Sequence, residues 1–390
     1  MAQDIARFTS SVGHPSNTAI MPFQPRIRKS AFFNAARRHG CQHFTVYNRT
    51  YTSLGFDDPV AEYWHLINHV ALWPAAGERQ VEITGPDAAR FVQLLTPRNL
   101  DRCAVGQGKY VLITSPDGGV LNDPVLLRLG QNHFWLSIAD SEILLWARGV
   151  AVFAGMNVMI RDPSVTVIQV QGPKSIEVMA DLFGPKIRDL RYYWITDGGL
   201  GDIPLTISRT GWSSEWGYEL FLRDFDRGDE LFDRLLEAGK PYDMRPGSTS
   251  QIRRVEGALL SLGADMTSDD NPYELGLDRL IDLDQPAEFI GKAALARIKA
   301  KGVKRKLIGL RIEGDKVPPN IEHWPLMIGD RRVGRLSSLA FSPRLGCNIA
   351  LGMTAIEYAA TGTRHIVESP YGEREATVAD LPFVPRRQTG

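Results

Sequence analysis

Four short stretches of this 390-residue sequence carry polar side chains at positions suited to binding or reaction. From Ser208 to Phe221, Glu219 alternates with apolar Tyr218 and Leu220 on an expected strand, behind Trp212 and Trp216. A carboxylate there faces either water or a cavity. The two indoles are either core or flat walls of a ligand slot. In Gly118-Gly119-Val120-Leu121-Asn122-Asp123-Pro124, two polar residues stand at the mouth of a hairpin, as turn chemistry alone or as part of a site. The third stretch holds Arg253, Arg254 and Glu256, followed by Asp265 and Asn271-Pro272-Tyr273-Glu274. The fourth, Ser337-Ser338 through Ser342-Pro343, comes late in the chain.

Other chemistries lack their marks. No GxGxxG follows a strand, and there is no phosphate-binding GxxxxGK[ST] loop, HExxH, GxSxG elbow or EF-hand loop. His65 and His69 are four apart on an expected helix, which places two ligands on one face. No acidic or cysteine partner stands nearby in sequence, so no metal is expected. Lys plus Arg is 45 and Asp plus Glu is 45, so no global field favours nucleic acid or an anionic membrane. Cys41, Cys103 and Cys347 form no CxxC pair, which argues against a disulfide framework and for a reducing cytoplasm. No stretch approaches 18 apolar residues, and Met1 to Ser11 lacks the apolar core of a secretory signal.

The elements that must position these residues follow from periodicity and turn signals. Residues 61–73 read as a helix, 79–84 as a strand ending at Gly85-Pro86, and 87–95 as a helix. Residues 110–114 and 120–129 pair through a Pro116-Asp-Gly-Gly119 turn; 134–138 is a strand and 141–152 a helix. The rhythm then recurs: strand 165–170, a Gly172-Pro173 turn, helix 175–183, strands 205–209 and 218–222, helix 229–238. Residues 252–262 and 289–298 read as helices. After the basic linker 300–306 come short strands at 307–312, 324–328, 332–337, 349–353 and 364–368, as in a small β-barrel. The expected class is α+β, with two α+β units of mostly antiparallel sheet and a C-terminal barrel. The basic run Arg26, Arg28, Lys29, Arg37 and Arg38 is either a solvated face or an anion-attracting lip.

Taken in order, the four stretches together with Phe289-Ile290-Gly291-Lys292 resemble the folate-dependent methyl- and aminomethyltransferase family, of which the glycine-cleavage T-protein is the best-known member. The family pattern is a GG-x-x-[DN]-D hairpin, a GY-E strand, an R-x-E-x-G-L helix, an NP-x-E loop, an F-I-G-K turn and a late SP. The resemblance runs from about Arg26 to Thr377. The dimethylsulfoniopropionate demethylase branch is similar also in Thr45-Val-Tyr47-Asn48, Glu78-Arg-Gln-Val-Glu-Ile83, Asn122-Asp-Pro124, Trp135 to Ser141 and Trp324-Pro-Leu326. Asn122 stands where the T-protein keeps an acidic residue, which weakens an aminomethyl reading.

The resemblance implies a three-lobed cloverleaf around a channel for tetrahydrofolate. Residues 1–299 would form two interleaved α+β lobes, roughly 50–160 and 161–299, and 300–385 the barrel. Glu219 would accept hydrogen bonds from the pterin edge, with Tyr218, Trp212 or Phe221 on the ring. Ser137 and Arg254 would also belong to the cofactor site, Arg254 ordering the channel or meeting an anionic group. Asn122 or Asp123 would sit near the reacting nitrogen. The expected reaction moves a methyl group from a small carboxylate-bearing donor to N5, giving 5-methyltetrahydrofolate. Its partners are the donor and the folate; a homodimer fits the same picture.

The chain departs from the demethylase branch at Lys109, Glu215-Trp216, Phe221, Ala264, Ser248 to Ser250, Arg253 and the run from Arg49 to Leu54, so a changed donor is expected. Added cations suggest an O-methyl aromatic acid, a methoxybenzoate of the vanillate or dicamba kind. Lys109 or Tyr110 would stabilise the leaving phenolate, with His43 and His133 as weaker candidates. Tyr47, Arg49, Trp216 and Arg253 would contact the donor. The alternatives are dimethylsulfoniopropionate demethylation, T-protein-like aminomethyl transfer, and folate binding without catalysis.

Overall fold

Strand Thr166–Gln171 is buried along its whole length, so both its faces must be covered. In the computed structural model, which describes residues 23–387, it lies inside a six-stranded sheet. Met1 to Ser11, expected to carry no secretory signal, lies outside the described residues. The sheet runs Ile195–Leu200, Ile203–Ser208, Gly217–Leu222, Thr166–Gln171, Val70–Trp73, Met244–Pro246, antiparallel except for the last pair. One face carries Ile168, Val170, Tyr218, Leu220 and Leu222 into a core with Val178, Met179, Leu231 and Phe232 from the covering helices Ser175–Phe183 and Gly228–Gly239.

A second, antiparallel sheet has the order Met159–Arg161, Arg79–Thr84, His133–Ile138, Val125–Gly130, Gln107–Tyr110. Helices Ala88–Leu95 and Ile143–Ala154 bury Phe91, Val92, Leu95, Ile143 and Ala147 in its core. The two sheets meet through Leu127 and Trp135 of one and Val167 and Phe221 of the other. Such side chains stabilise by about 1.5–3 kcal/mol each when fully buried. They form a dry seam, and beyond it on the same faces lie Gln169, Glu219 and Ser137.

The third unit is a closed barrel in the order Arg305–Ile312, Cys347–Ala355, Arg331–Ser342, Trp324–Ile328, Arg364–Ser369, Gly372–Ala379. Its outer residues Ala340, Ile349, Leu351 and Met353 pack with Leu112, Val120, Val255, Leu260 and Met266, which fastens the barrel to the hairpin and to helix Gln251–Glu256. The architecture is the three-lobed α+β arrangement with mostly antiparallel sheets.

Several local expectations change, among them the hairpin of 110–114 with 120–129, which divides into Ile113–Thr114 paired with Val120–Asn122 and Gln107–Tyr110 paired with Val125–Gly130. The helix expected over 61–73 is Pro59–Asn68, started by Asp58, whose carboxylate accepts from the Val60 and Ala61 amides. The apolar run Val70–Trp73 is instead a fully buried strand of the other lobe's sheet, which interleaves the lobes. The helix expected over 252–262 stops at Glu256, because Ala258 turns to φ 52° and Leu259 N returns to the Arg254 carbonyl. Strands Ile195–Leu200 and Gly372–Ala379 were not expected, since both are largely polar and exposed.

Gly119 marks a tight approach of the hairpin to the loop at Ser268: a Cβ there would fall on the Ser268 carbonyl oxygen. Gly119→Ala should therefore destabilise the protein by about 1–3 kcal/mol, the usual cost of overpacking, read as a lowered urea midpoint. An unchanged midpoint would show that this approach is not tight.

Candidate active site

Period-2 alternation decides which side chains reach the space beside the seam. On strand Gly217–Leu222, Glu219 and Phe221 point one way, and Tyr218, Leu220 and Leu222 the other. Gln169 stands opposite Glu219 in the ladder. Its Nε2 donates to Glu219 Oε1 at 2.8 Å and to Glu78 Oε1 at 3.0 Å. Glu78 comes from the other lobe, just ahead of strand Arg79–Thr84. The remaining oxygen of Glu219 accepts from the Thr210 hydroxyl. Ser137 is hydrogen-bonded to Glu78 and also accepts from Gln80 Nε2 at 3.1 Å.

Two carboxyls around one amide cannot both ionise cheaply in a dry place. Burial pushes Glu219 up to about 7, against the pull of its Thr210 hydrogen bond. Burial, then the charge of Glu219, raises Glu78 well above the carboxylate range. A third acid completes the set. Asp123 Oδ2 accepts from the Tyr110 hydroxyl at 2.9 Å, and burial, opposed by that bond, raises Asp123 to about 7. Tyr47 lies within the fields of Glu78, Asp123 and Asp140, and burial holds its hydroxyl protonated. Gly77 leaves room for its ring against the backbone. Tyr193, held at φ 61°, lies within electrostatic reach of both Tyr110 and Glu219.

The fold thus brings together Tyr47, Tyr110, Asp123, Ser137 and Glu219. It turns most of the others elsewhere. Tyr218 lies in the core on the opposite face, donating to the Ile187 carbonyl. Phe221 is enclosed in the seam, 5.9 Å from Trp135. Asn122 is fully buried and spends its amide on Ala139 and Ser141. Lys109 alternates with Tyr110 and so faces the other way, towards the Cys103 thiol. Arg49 is exposed and pairs with Glu142 at 2.5 Å. Arg253 is buried against Glu215 at 2.9 Å and the Ser214 and Pro385 carbonyls. Trp216 stacks on Arg209, 4.0 Å from its ring centroid, and Trp212 stands over Arg254. His133 pairs with Glu82.

Arg254 orders the site from behind: it donates to Asp265 at 2.7 Å and to the barrel's Ser338 at 2.6 Å. Asp265 in turn adds to the raised pKa of Asp123. Glu215, one of the departures from the demethylase pattern, accepts from Arg253 and from Arg387 at 2.6 Å. With Arg253 it clasps the C-terminal segment, and neither lines the acid cluster. Glu78, Gln169, Thr210 and Tyr193 were missed. Gln169 had a signal, as a polar residue inside the apolar run Val167-Ile168-Gln169-Val170.

The wall is rich in acceptors. Gln169 Oε1 is buried without a partner, and Glu219 and Glu78 stand beside it. A flat ligand edge bearing adjacent N–H groups satisfies all three, and the amino and ring N–H edge of a reduced pterin is such an edge. The residues present therefore fit tetrahydrofolate. It supplies a nucleophilic nitrogen when bound; Glu219, Gln169 and Glu78 would hold its edge, and Asp123 and Tyr110 would stand near its reacting nitrogen.

Both Glu219 and Asp123 keep protons in the folded, ligand-free chain that an unfolded chain releases near its ordinary carboxylate pKa of 4.5 or 3.8. The stability they contribute is present below those values and is lost as pH rises towards about 7. Glu219→Gln should therefore flatten the fall in thermal midpoint between pH 4.5 and 7. A parallel curve for both proteins would contradict the raised pKa.

Comparison with known proteins places these features in a family. Residues 30–285 match the GCVT N-terminal domain and residues 305–385 the glycine-cleavage T-protein C-terminal barrel domain. The chain is 39% identical to dimethylsulfoniopropionate demethylase of Ruegeria pomeroyi over 91% of its own length and 97% of the relative's. It is 30% identical to an aminomethyltransferase of Streptomyces avermitilis, over 86% and 93%. Its fold superposes on the glycine cleavage system aminomethyltransferase T of Bartonella henselae with a TM-score of 0.81 at 22% identity, covering 93% of this chain and 99% of that one. The chain belongs to the glycine-cleavage T-protein family of tetrahydrofolate-dependent transferases.

Proposed function

We propose that the chain is a demethylase that moves a methyl group from a small carboxylate-bearing sulfonium donor to N5 of tetrahydrofolate. The observation that carries the reading is the make-up of the site: Glu78 shares Gln169 with Glu219, Glu78 and Asp123 both act on Tyr47, and Lys109, Arg49 and Arg253 are engaged elsewhere or turned away. A leaving phenolate needs a cation or a strong donor beside it, and Tyr110, the donor candidate in the site, donates its hydroxyl hydrogen bond to Asp123 at 2.9 Å. A sulfonium leaves as a neutral thioether, needs no acid, and suits an acceptor-rich cavity lined by the rings of Tyr47, Tyr110 and Tyr193. The cations within electrostatic reach of that tyrosine group, Arg279 and Arg386, suit the donor's carboxylate. The 39% identity to a dimethylsulfoniopropionate demethylase supports the same choice over the aryl ether.

In this reading the N5 lone pair attacks the methyl carbon as the carbon–sulfur bond breaks, its electron pair leaving with sulfur. Asp123, poised near neutrality, receives the N5 proton. Tyr110 holds that carboxyl in place, and alignment of donor and acceptor supplies much of the rate.

The discriminating experiment is product analysis with tetrahydrofolate and a panel of dimethylsulfoniopropionate, methoxybenzoates and an aminomethyl carrier. 5-Methyltetrahydrofolate is expected from the sulfonium. Formation from the methoxybenzoate alone would overturn the donor assignment, and no turnover with folate bound would overturn catalysis.

Asp123→Asn should lower kcat by about 10²-fold or more, while Lys109→Ala should change it less than about threefold, as for a residue outside the chemistry. Loss of activity in Lys109→Ala would restore the phenolate role. Folate affinity should rise with pH up to about 7, since the donor-bearing edge binds the ionised Glu219. Glu219→Ala should weaken it by about 10–150-fold, the worth of a charge-assisted hydrogen bond. Equilibrium titration checks both; a flat profile with an unaltered Kd would exclude Glu219 from the folate site.

A further inference from the structure

His65 and His69 lie one helical turn apart, and the sequence shows no third ligand near them. The fold supplies one. A turn at Lys240–Tyr242 leads to Asp243, held at φ 54° and ψ 44°, where the chain enters strand Met244–Pro246. Asp243 Oδ2 lies 4.0 Å from His65 Nδ1 and 3.9 Å from His69 Nδ1. The ligand atoms of the three residues all lie within 4.8 Å of one another. The two imidazoles are stacked, centroids 5.0 Å apart and planes 12° apart.

The informative detail is the other side of the His65 ring. Nε2 lies 3.2 Å from the Val70 carbonyl oxygen, which can only accept, so Nε2 carries a proton. Nδ1 faces the Asp243 carboxylate. At 4.0 Å, His65 Nδ1 and the Asp243 carboxylate are beyond hydrogen-bond distance, so neither satisfies the other and a cation fits between them. A ring with one nitrogen donating to a backbone carbonyl and the other presenting its lone pair is the arrangement of a metal-ligating histidine.

We infer that His65, His69 and Asp243 form a site for a single transition-metal dication of the zinc, cobalt or nickel type, with water completing the shell. Two imidazoles and a carboxylate suit these ions. His65 is anchored, at 9% side-chain exposure, whereas His69 and Asp243 are near half exposed at 45% and 46%. Tetrahedral zinc, with bonds of ~2.0–2.1 Å, sets its ligand atoms about 3.3 Å apart. Rotation of the two exposed side chains closes the difference. Arg245 now pairs with Asp243, Nη2 at 3.0 Å from Oδ2, but it is 59% exposed and free to swing away. The bound ion would brace the end of helix Pro59–Asn68 against the turn leading into Met244–Pro246, two segments already joined where Val70 pairs with Met244. The site plays no part in methyl transfer.

The test uses the full chain without an affinity tag, stripped with EDTA and titrated calorimetrically with zinc chloride. One saturable equivalent is expected at micromolar metal, with a raised thermal midpoint, since binding to the native state stabilises it. His69→Ala and Asp243→Asn should each weaken binding at least about tenfold. Both side chains are well exposed, so the metal-free thermal midpoint should stay within about 2 °C of the parent. Absence of a saturable equivalent, or binding that neither substitution alters, would overturn the site.

Discussion

A single buried amide sets the centre of this molecule. Gln169 Nε2 donates to a carboxyl from each of two lobes, Glu78 and Glu219, and so fixes where they meet. The constraint is severe, because a buried polar group without a partner costs about as much as a hydrogen bond is worth. Leu127, Trp135, Val167 and Phe221 keep water from one side of the amide, and the same dryness raises both acids. What results is an acceptor-rich wall with one oxygen, Gln169 Oε1, left for a ligand.

The barrel contributes through charge. Arg254 reaches from helix Gln251–Glu256 to Ser338 of the barrel and to Asp265, and Ser337 donates to the other Asp265 oxygen at 2.6 Å. A buried ion pair of this kind adds little net stability, but removing one partner strands the other at a cost of about 3–5 kcal/mol. Its effect is positional: it sets a negative charge behind Asp123, which adds to burial in raising that acid's pKa. The Arg253–Glu215–Arg387 chain performs a comparable task at the C-terminal segment, which it ties to helix Pro59–Asn68 through the Ile67 carbonyl.

Motif order revealed the family and the three-lobed fold, because turn glycines, the hairpin and the Glu219 strand are local patterns. Sidedness was harder. Tyr218 and Glu219 are adjacent, as are Lys109 and Tyr110, and adjacent strand residues point to opposite faces. In each pair both residues had been placed in the site, and alternation admits only one. Arg49 and Arg253 read as free cations because their acidic partners, Glu142 and Glu215, are distant or follow an irregular loop. Glu78 and Gln169 acquire meaning only when the lobes dock. Val70–Trp73 followed a helical pattern without interruption, and its pairing with Thr166–Gln171 is a long-range contact that local periodicity does not encode.

The most direct test is a crystal structure of the protein with tetrahydrofolate bound. The account predicts the pterin's amino and ring N–H groups about 2.7–3.1 Å from a Glu219 carboxylate oxygen, with Gln169 Oε1 accepting beside them. A pterin seated elsewhere, leaving Glu219 bonded to Gln169 and Thr210 alone, would contradict it.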